Sequence, residues 1–245
     1  MNTGELWMSH LSMRRWTDPA AWDKYLQAVE SVLDDRLEKL DVNDPARRKA
    51  DVTKGEGSFI VQFGEREDSR WLWGKFTKTK IEFEIQHYKA STDSFGRFRA
   101  NSVTFYIPER MTFGPDVRRL VELFRLSNEQ LETFYAYADF KSVICAKKPS
   151  TPSLDISREL LGVFWLTYFG FHYCSFFGRE RLVRLQQVSE WPATGITLQL
   201  ADTAGQVPDD NRTRLERDIA AESFAGTGGP KASGQHALTL AQLTG

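Results

Sequence analysis

The chain has 245 residues, 41% of them hydrophobic and 27% charged, with a net charge of −1 and a pI near 6.5. These values exclude an intrinsically disordered polypeptide and give no basic surface for general attraction to nucleic-acid phosphates. Two cysteines, Cys145 and Cys174, far apart in the chain, exclude a disulfide-stapled or multi-ligand zinc module.

The first residues, MNTGELWMSH, lack a basic region followed by an apolar stretch and a small-residue cleavage site, so a cytoplasmic location is expected. Asp18 can cap free N–H groups and Pro19 fits the first helical position. Trp22, Tyr25, Leu26, Val29, Leu33, Leu37 and Leu40 then recur at steps of three and four, which predicts a long N-terminal amphipathic helix to about Leu40. Glu30, Asp34, Glu38 and Asp41 fall on a second face of that helix, and 41–52 reads as an exposed connection.

From Gly57 the period becomes that of strands, at 58–63, 71–76 and 80–85, joined by short connections into an antiparallel meander. The last of these alternates charged and apolar residues, the pattern of a strand with one wet face. A fourth strand follows at 101–107. Gly114-Pro115-Asp116 opens a helix through Phe124, with Asn128 just past its end, and 134–140 is a further strand. The segment 142–148 is ambiguous between helix and strand, and Lys147–Pro152 is a loop.

Residues 163–169 are apolar on both faces and fit a central strand. Beyond Gly170, Phe169, His172, Tyr173, Phe176 and Phe177 step by three and four, so the chain turns into a short helix that Arg181, Leu182 and Leu185 continue. The apolar run 160–177 approaches a membrane span in length, but Thr167, His172, Tyr173 and Ser175 interrupt it and no membrane partner is expected. A strand at 195–200 and a helix at 209–221, capped by Asp209 or Asp210, complete the pattern. The fold class expected is α+β, a largely antiparallel sheet covered by helices, with a single domain at 1–224 and a flexible tail at 225–245.

Chemistry-bearing motifs are sparse. His172 and Cys174 are zinc donors by type, but without a second ligand pair a buried core pair is the commoner meaning, and no metal or cofactor is expected. Asp139-Phe140-Lys141 matches half of a metal-dependent nuclease site, in which a carboxylate holds the cation and a lysine steadies developing charge. A solvated ion pair at a strand end is the plainer reading. There is no nucleophile elbow, and neither cysteine has a histidine at an informative spacing. Glu65, Glu67 and Asp68 form a second acidic cluster, mixed with Arg66 and Arg70. Trp71 and Trp73 share one strand face, a spacing more often found in cores than on surfaces.

One stretch carries a resemblance. Asp155 to Gly170, DISRELLGVFWLTYFG, followed by Tyr173, Phe176 and Gly178-Arg179-Glu180-Arg181-Leu182, resembles the aromatic core and the following G-R-E-x-L of bacterial polymorphic-toxin immunity proteins, notably the immunity protein 52 family. Gly74-Lys75-Phe76 and Glu84-Ile85 are compatible with the earlier part of such proteins. The resemblance implies a non-enzymatic cytoplasmic protein that binds and neutralises a cognate toxin effector, a nuclease delivered by a type VI secretion system, without contacting nucleic acid itself. No inhibitory residues transfer with it. For a basic nuclease cleft the acidic positions Asp34, Glu38, Glu65, Glu67 and Asp68 are the toxin-binding candidates. The alternatives are a metal-dependent nuclease using Asp139 and Lys141, or a non-enzymatic adaptor.

Overall fold

Alternating burial, not helical spacing, organises the first element. The computed structural model describes residues 4–14, 16–66, 69–88, 92, 98–147, 159–185, 188–191, 195–225 and 237–244, and in it Leu6–Ser12 forms strand β1. Leu6, Met8 and His10 are buried on one side, while Trp7 and Leu11 are half-buried on the other. β1 pairs antiparallel with β5 (Asn101–Ile107) and β6 (Thr133–Phe140), so a segment without a strand assignment in the sequence reading lies inside the sheet. Its buried Ser9, His10 and Ser12 disguise it, because each is polar and needs a specific partner.

Helix α1 spans Pro19–Leu33, with Asp18 Oδ1 accepting from the Ala20 N–H at 2.9 Å. It stops at Leu33 rather than near Leu40: Asp34 takes a left-handed conformation, φ 48°, and its N–H closes the helix on the carbonyls of Glu30 and Ser31. Leu37 and Leu40 continue the apolar spacing because strand β2 (Leu37–Asp41) also buries them, across a register shift between Leu37 and Lys39. The acidic row of Glu30, Asp34, Glu38 and Asp41 therefore does not share one helix face. Asp41 is buried and accepts the N–H groups of Val42, Arg47 and Arg48.

Residues 58–63, expected as a strand, lie in helix α2 (Gly57–Arg66), which buries Ile60 and Phe63. The Gly57 N–H donates to Asp23 Oδ1 at 2.6 Å, docking the start of α2 on α1. Strands β3 (Ser69–Phe76) and β4 (Glu82–Tyr88) then run into β5 as an antiparallel meander. Helix α3 spans Asp116–Gln130 and is longer than expected, with Asn128 buried inside it. After β6 come α4 (Lys141–Lys147), a buried irregular stretch at 160–165, β7 (Leu166–Gly170), α5 (Phe171–Phe177), α6 (Arg179–Val183), β8 (Val188–Trp191), β9 (Gly195–Gln199), α7 (Asp209–Ala220) and α8 (Leu240–Thr244). The sheet order is β2-β3-β4-β5-β1-β6-β7-β9-β8, and every strand pair is antiparallel. The α+β class, with helices covering an antiparallel sheet, stands.

The aromatic run is thus core, but its strand begins at Leu166 instead of Val163. At the end of the chain, 226–236 lie outside the described residues, whereas Ala237, Leu238 and Leu243 are buried and the Leu238 N–H reaches the Tyr173 hydroxyl at 3.4 Å. Residues 237–243 are thus docked, while the stretch expected to be flexible lies mostly outside the described residues. Among the described residues no helix is long and apolar enough to cross a membrane.

One face of the sheet is closed by α1 and α3, which the Tyr25 and Ser127 hydroxyls join at 2.9 Å. Beneath them His10 is fully buried, with its Nδ1 2.8 Å from Asn128 Oδ1 and its ring against Phe105 and Phe124. Burial lowers the imidazole pKa to about 4, against the opposing pull of the Asn128 bond. A histidine held below its unfolded value binds fewer protons folded than unfolded, so its contribution to stability is full above pH 6.5 and is lost as pH falls toward 4. Denaturant titrations at pH 7.5 and 4.5 are expected to show an acid loss larger by roughly 2–3 kcal/mol in the wild-type chain than in His10→Gln; equal losses would remove His10 as the cause.

Candidate protein-interaction surface

The second face of the sheet is treated unequally. Over β6 it is covered: Tyr137 lies 5.0 Å from Phe164, centroid to centroid, and Ile144, Leu161 and Phe164 form a small apolar cluster there. Over β3 and β4 it is more open, while on β5 Ser102 and Thr104 are buried and Tyr106 is half-buried. On the closed face Leu72, Phe83, Ile85, Val103 and Phe105 are at most 2% exposed, whereas their strand neighbours Trp73, Glu82, Glu84, Gln86 and Tyr106 are half-buried and Trp71 is 48% exposed.

Register determines what meets on the open face. Trp71 pairs with Gln86, Trp73 with Glu84 and Lys75 with Glu82; Glu82 and Glu84 pair onward with Tyr106 and Thr104, and these with Trp7 and Ser9. Aromatic rings therefore make a diagonal row. Trp71 and Trp73 are 6.1 Å apart, Trp73 stacks on Tyr106 at 6.2 Å and 20°, and Trp7 meets Tyr106 edge-on at 5.6 Å. Beside the row Ser9 Oγ and Thr104 Oγ1 bond at 3.0 Å, giving a low polar floor.

Carboxylates sit among the rings. Glu5 accepts from the Trp7 indole N–H at 2.8 Å and lies 3.5 Å from Lys141 Nζ, which itself stands 5.0 Å from the centre of the Trp7 ring. Lys75 Nζ pairs with Glu82 at 2.5 Å. Glu84 bonds the Tyr106 hydroxyl, whose pKa rises above the usual tyrosine value through burial and then through the Glu84 charge. Burial likewise raises Tyr137, which also feels Glu84. Such a surface suits contact with another protein: tryptophan and tyrosine bury large area with little entropy loss, and they dominate binding hot spots.

No family model matches the sequence, and no curated protein matches it. The fold has a solved counterpart. The Pseudomonas aeruginosa T6SS protein PA0821 is similar with a TM-score of 0.59 and 15% identity, covering 96% of this chain and 80% of that one. At that identity the likeness is one of fold.

Of the acidic candidates, Asp34 and Glu38 have described side chains. Asp34 caps α1, Glu38 lies on edge strand β2, Glu65 is on α2 with its side chain outside the described residues, and Glu67 and Asp68 lie outside them altogether. The D-x-K pair is split by burial. Asp139 is fully enclosed, accepts Arg212 Nε at 2.7 Å, a second Arg212 nitrogen at 3.0 Å and the N–H groups of Phe140 and Trp165, while Lys141 is exposed beside Trp7. A carboxylate so engaged has no free side for a cation. Cys174 donates to the Phe169 carbonyl at 3.1 Å, whereas His172 lines a separate cleft of about 440 Å³ beside Arg14, Glu132 and Phe171. Among the described residues no three His, Cys, Asp or Glu side chains group around a metal position.

Burial pushes the Asp139 carboxyl above its ordinary pKa in spite of Arg212. Desolvation thus outweighs the ion pair, and the pair matters through what is left when one member goes. Arg212→Leu is expected to destabilise by about 3–5 kcal/mol, because it strands a buried charge. Adding Asp139→Asn should restore part of that loss in equilibrium unfolding; a double variant no more stable than Arg212→Leu would contradict this account.

Proposed function

We propose that this chain is an immunity-type protein that binds a toxin effector of a type VI secretion system and neutralises it, and that the toxin docks on the open aromatic face. The observation that carries the reading is the continuous row of Trp71, Trp73, Tyr106 and Trp7 on a sheet whose opposite face is fully packed. Large aromatics are left half-exposed on a rigid platform, an arrangement that contributes to binding rather than to folding. The resemblance of the segment 155–182 to immunity proteins and the fold shared with a T6SS protein support the same direction. On this reading the earlier acidic set becomes secondary. Asp34 and Glu38 steer association at most, since exposed charges change on-rates more than complex lifetimes.

The test is co-expression with toxin candidates encoded beside the gene, scored by growth and by recovery of a complex. Growth rescue with a stable complex is expected, and Trp71→Ala and Trp73→Ala should each weaken the complex by at least about 30-fold, the range of interface hot spots. Trp71→Ala should leave the melting temperature nearly unchanged. Asp34→Lys and Glu38→Lys should alter only the salt-dependent association rate. A chain that neither rescues growth nor binds any such toxin is not an immunity protein.

A further inference from the structure

We propose that the cleft of about 440 Å³ at the far end of β1 from Trp7 is a further binding site, which takes a peptide segment of a partner protein by one of its backbone amides. The wall forms where β1 has ended, where α3 gives way to β6 and where β7 turns into α5, and Arg14, Asn128, Thr133, Phe171 and His172 line it. Its volume is that of a ligand site. Asn128 and Thr133 are only 1% and 5% exposed, yet Asn128 Nδ2 and Thr133 Oγ1 have no hydrogen-bond partner among the described residues. The other end of the Asn128 amide is committed, because its Oδ1 lies 2.8 Å from His10 Nδ1. An enclosed polar atom left unpaired is destabilising, so each is open to a ligand that completes it.

The chemistry of the wall selects the ligand. An amide carbonyl accepts from Nδ2 and an amide N–H donates to Oγ1, so a single peptide group completes both residues. Arg14 and Glu132 are paired with each other and Glu129 is exposed to water, so no enclosed charge in the cleft calls for an ion. Phe171 is 62% exposed, with its ring edge-on to His172 at 5.5 Å. A large exposed ring beside a polar wall receives an apolar side chain from the residue whose backbone the wall holds. The two unpaired atoms are enclosed in the free chain, so the wall opens as the peptide enters, and Phe171 is its least restrained member. The cleft shares no lining residue with the aromatic row of Trp71, Trp73, Tyr106 and Trp7, so this inference stands or falls apart from toxin docking there.

The probe is N-isobutylacetamide, one amide bearing a leucine-like group, titrated into the full chain and followed through the side-chain amide resonances of Asn128 and the backbone N–H of Thr133. Saturable shifts with a dissociation constant on the order of 10 mM are expected, the range of two neutral hydrogen bonds and one small apolar group. Isobutyl acetate, the ester of the same shape, has no N–H to donate and should shift these resonances far less. Thr133→Val and Phe171→Ala should each weaken binding of the amide by about tenfold. The melting temperature of free Thr133→Val separates a binding role from a structural one: it should be unchanged or higher, because the variant removes an unpaired enclosed hydroxyl. No saturable shift, equal shifts with the ester, an unchanged affinity in Thr133→Val, or a lowered melting temperature of that variant overturns the inference.

Discussion

A stretch of backbone buried without regular structure has to find hydrogen bonds outside a ladder, and the N–H groups of residues 162–165 find theirs among side chains. The Gly162 N–H goes to the Tyr135 hydroxyl, Val163 to Glu216, Phe164 to Thr167 and Trp165 to Asp139, at 2.7 to 3.2 Å. Two of these acceptors are carboxylates, and a buried carboxylate needs a cation. Arg212 serves Asp139 and Lys147 serves Glu216, which brings α7 and α4 onto the same side of the sheet. Gly162 belongs to this arrangement, since a Cβ there would meet Glu216 Oε1 at 2.7 Å. Gly170 closes the other end, where a Cβ would stand 2.8 Å from the Thr133 carbonyl.

This anchoring determines where the second sheet face is covered and where it is not. The 160–165 stretch and α4 lie over β6, and the small cluster of Ile144, Leu161 and Phe164 ends against Trp7 and Tyr137. Beyond that line the outward side chains of β3 and β4, with Tyr106 of β5, are half-buried or exposed. The closed face is fully packed by comparison, so the platform is stiff and its rings are held by cross-strand neighbours. A rigid aromatic platform loses little conformational entropy on binding, which favours a long-lived complex.

Much of this was visible in the alternation of apolar and charged residues, and the misses have local causes. The strands at 101–107, 133–140 and 195–199 and the helices at 171–177 and 209–220 follow patterns strong enough to survive tertiary context. The wet face inferred for Lys80 to Ile85 is the open face of β4, so part of the candidate surface could be read directly. β1 escaped because its buried polar residues are satisfied from far along the chain, His10 by Asn128 and Ser9 by Thr104. α1 was overextended because Leu37 and Leu40 keep a three-residue step across a bulged strand, and an apolar period records burial without recording its geometry. The exposure of Trp71 was beyond sequence altogether, since it depends on which half of the sheet the distant 160–165 stretch covers. The Asp139-Lys141 motif misled for a similar reason: the arginine that claims Asp139 comes 73 residues later.

The same division explains how a fold can persist while little sequence does. With 15% identity over 96% of the chain, the likeness to the T6SS protein is one of architecture. The aromatic run, its glycines and the Asp139–Arg212 and Glu216–Lys147 pairs are mutually dependent, so a single change among them leaves a cavity, a clash or a stranded charge. The open face carries no such dependence. If this face is the docking surface proposed above, exchanging the exposed Trp71 would alter what it binds at a stability change usually within about 0.5 kcal/mol. On that reading a protein matched to one partner could be rematched to another by substitutions on β3 and β4, while the buried backbone of 160–165 holds the platform unchanged.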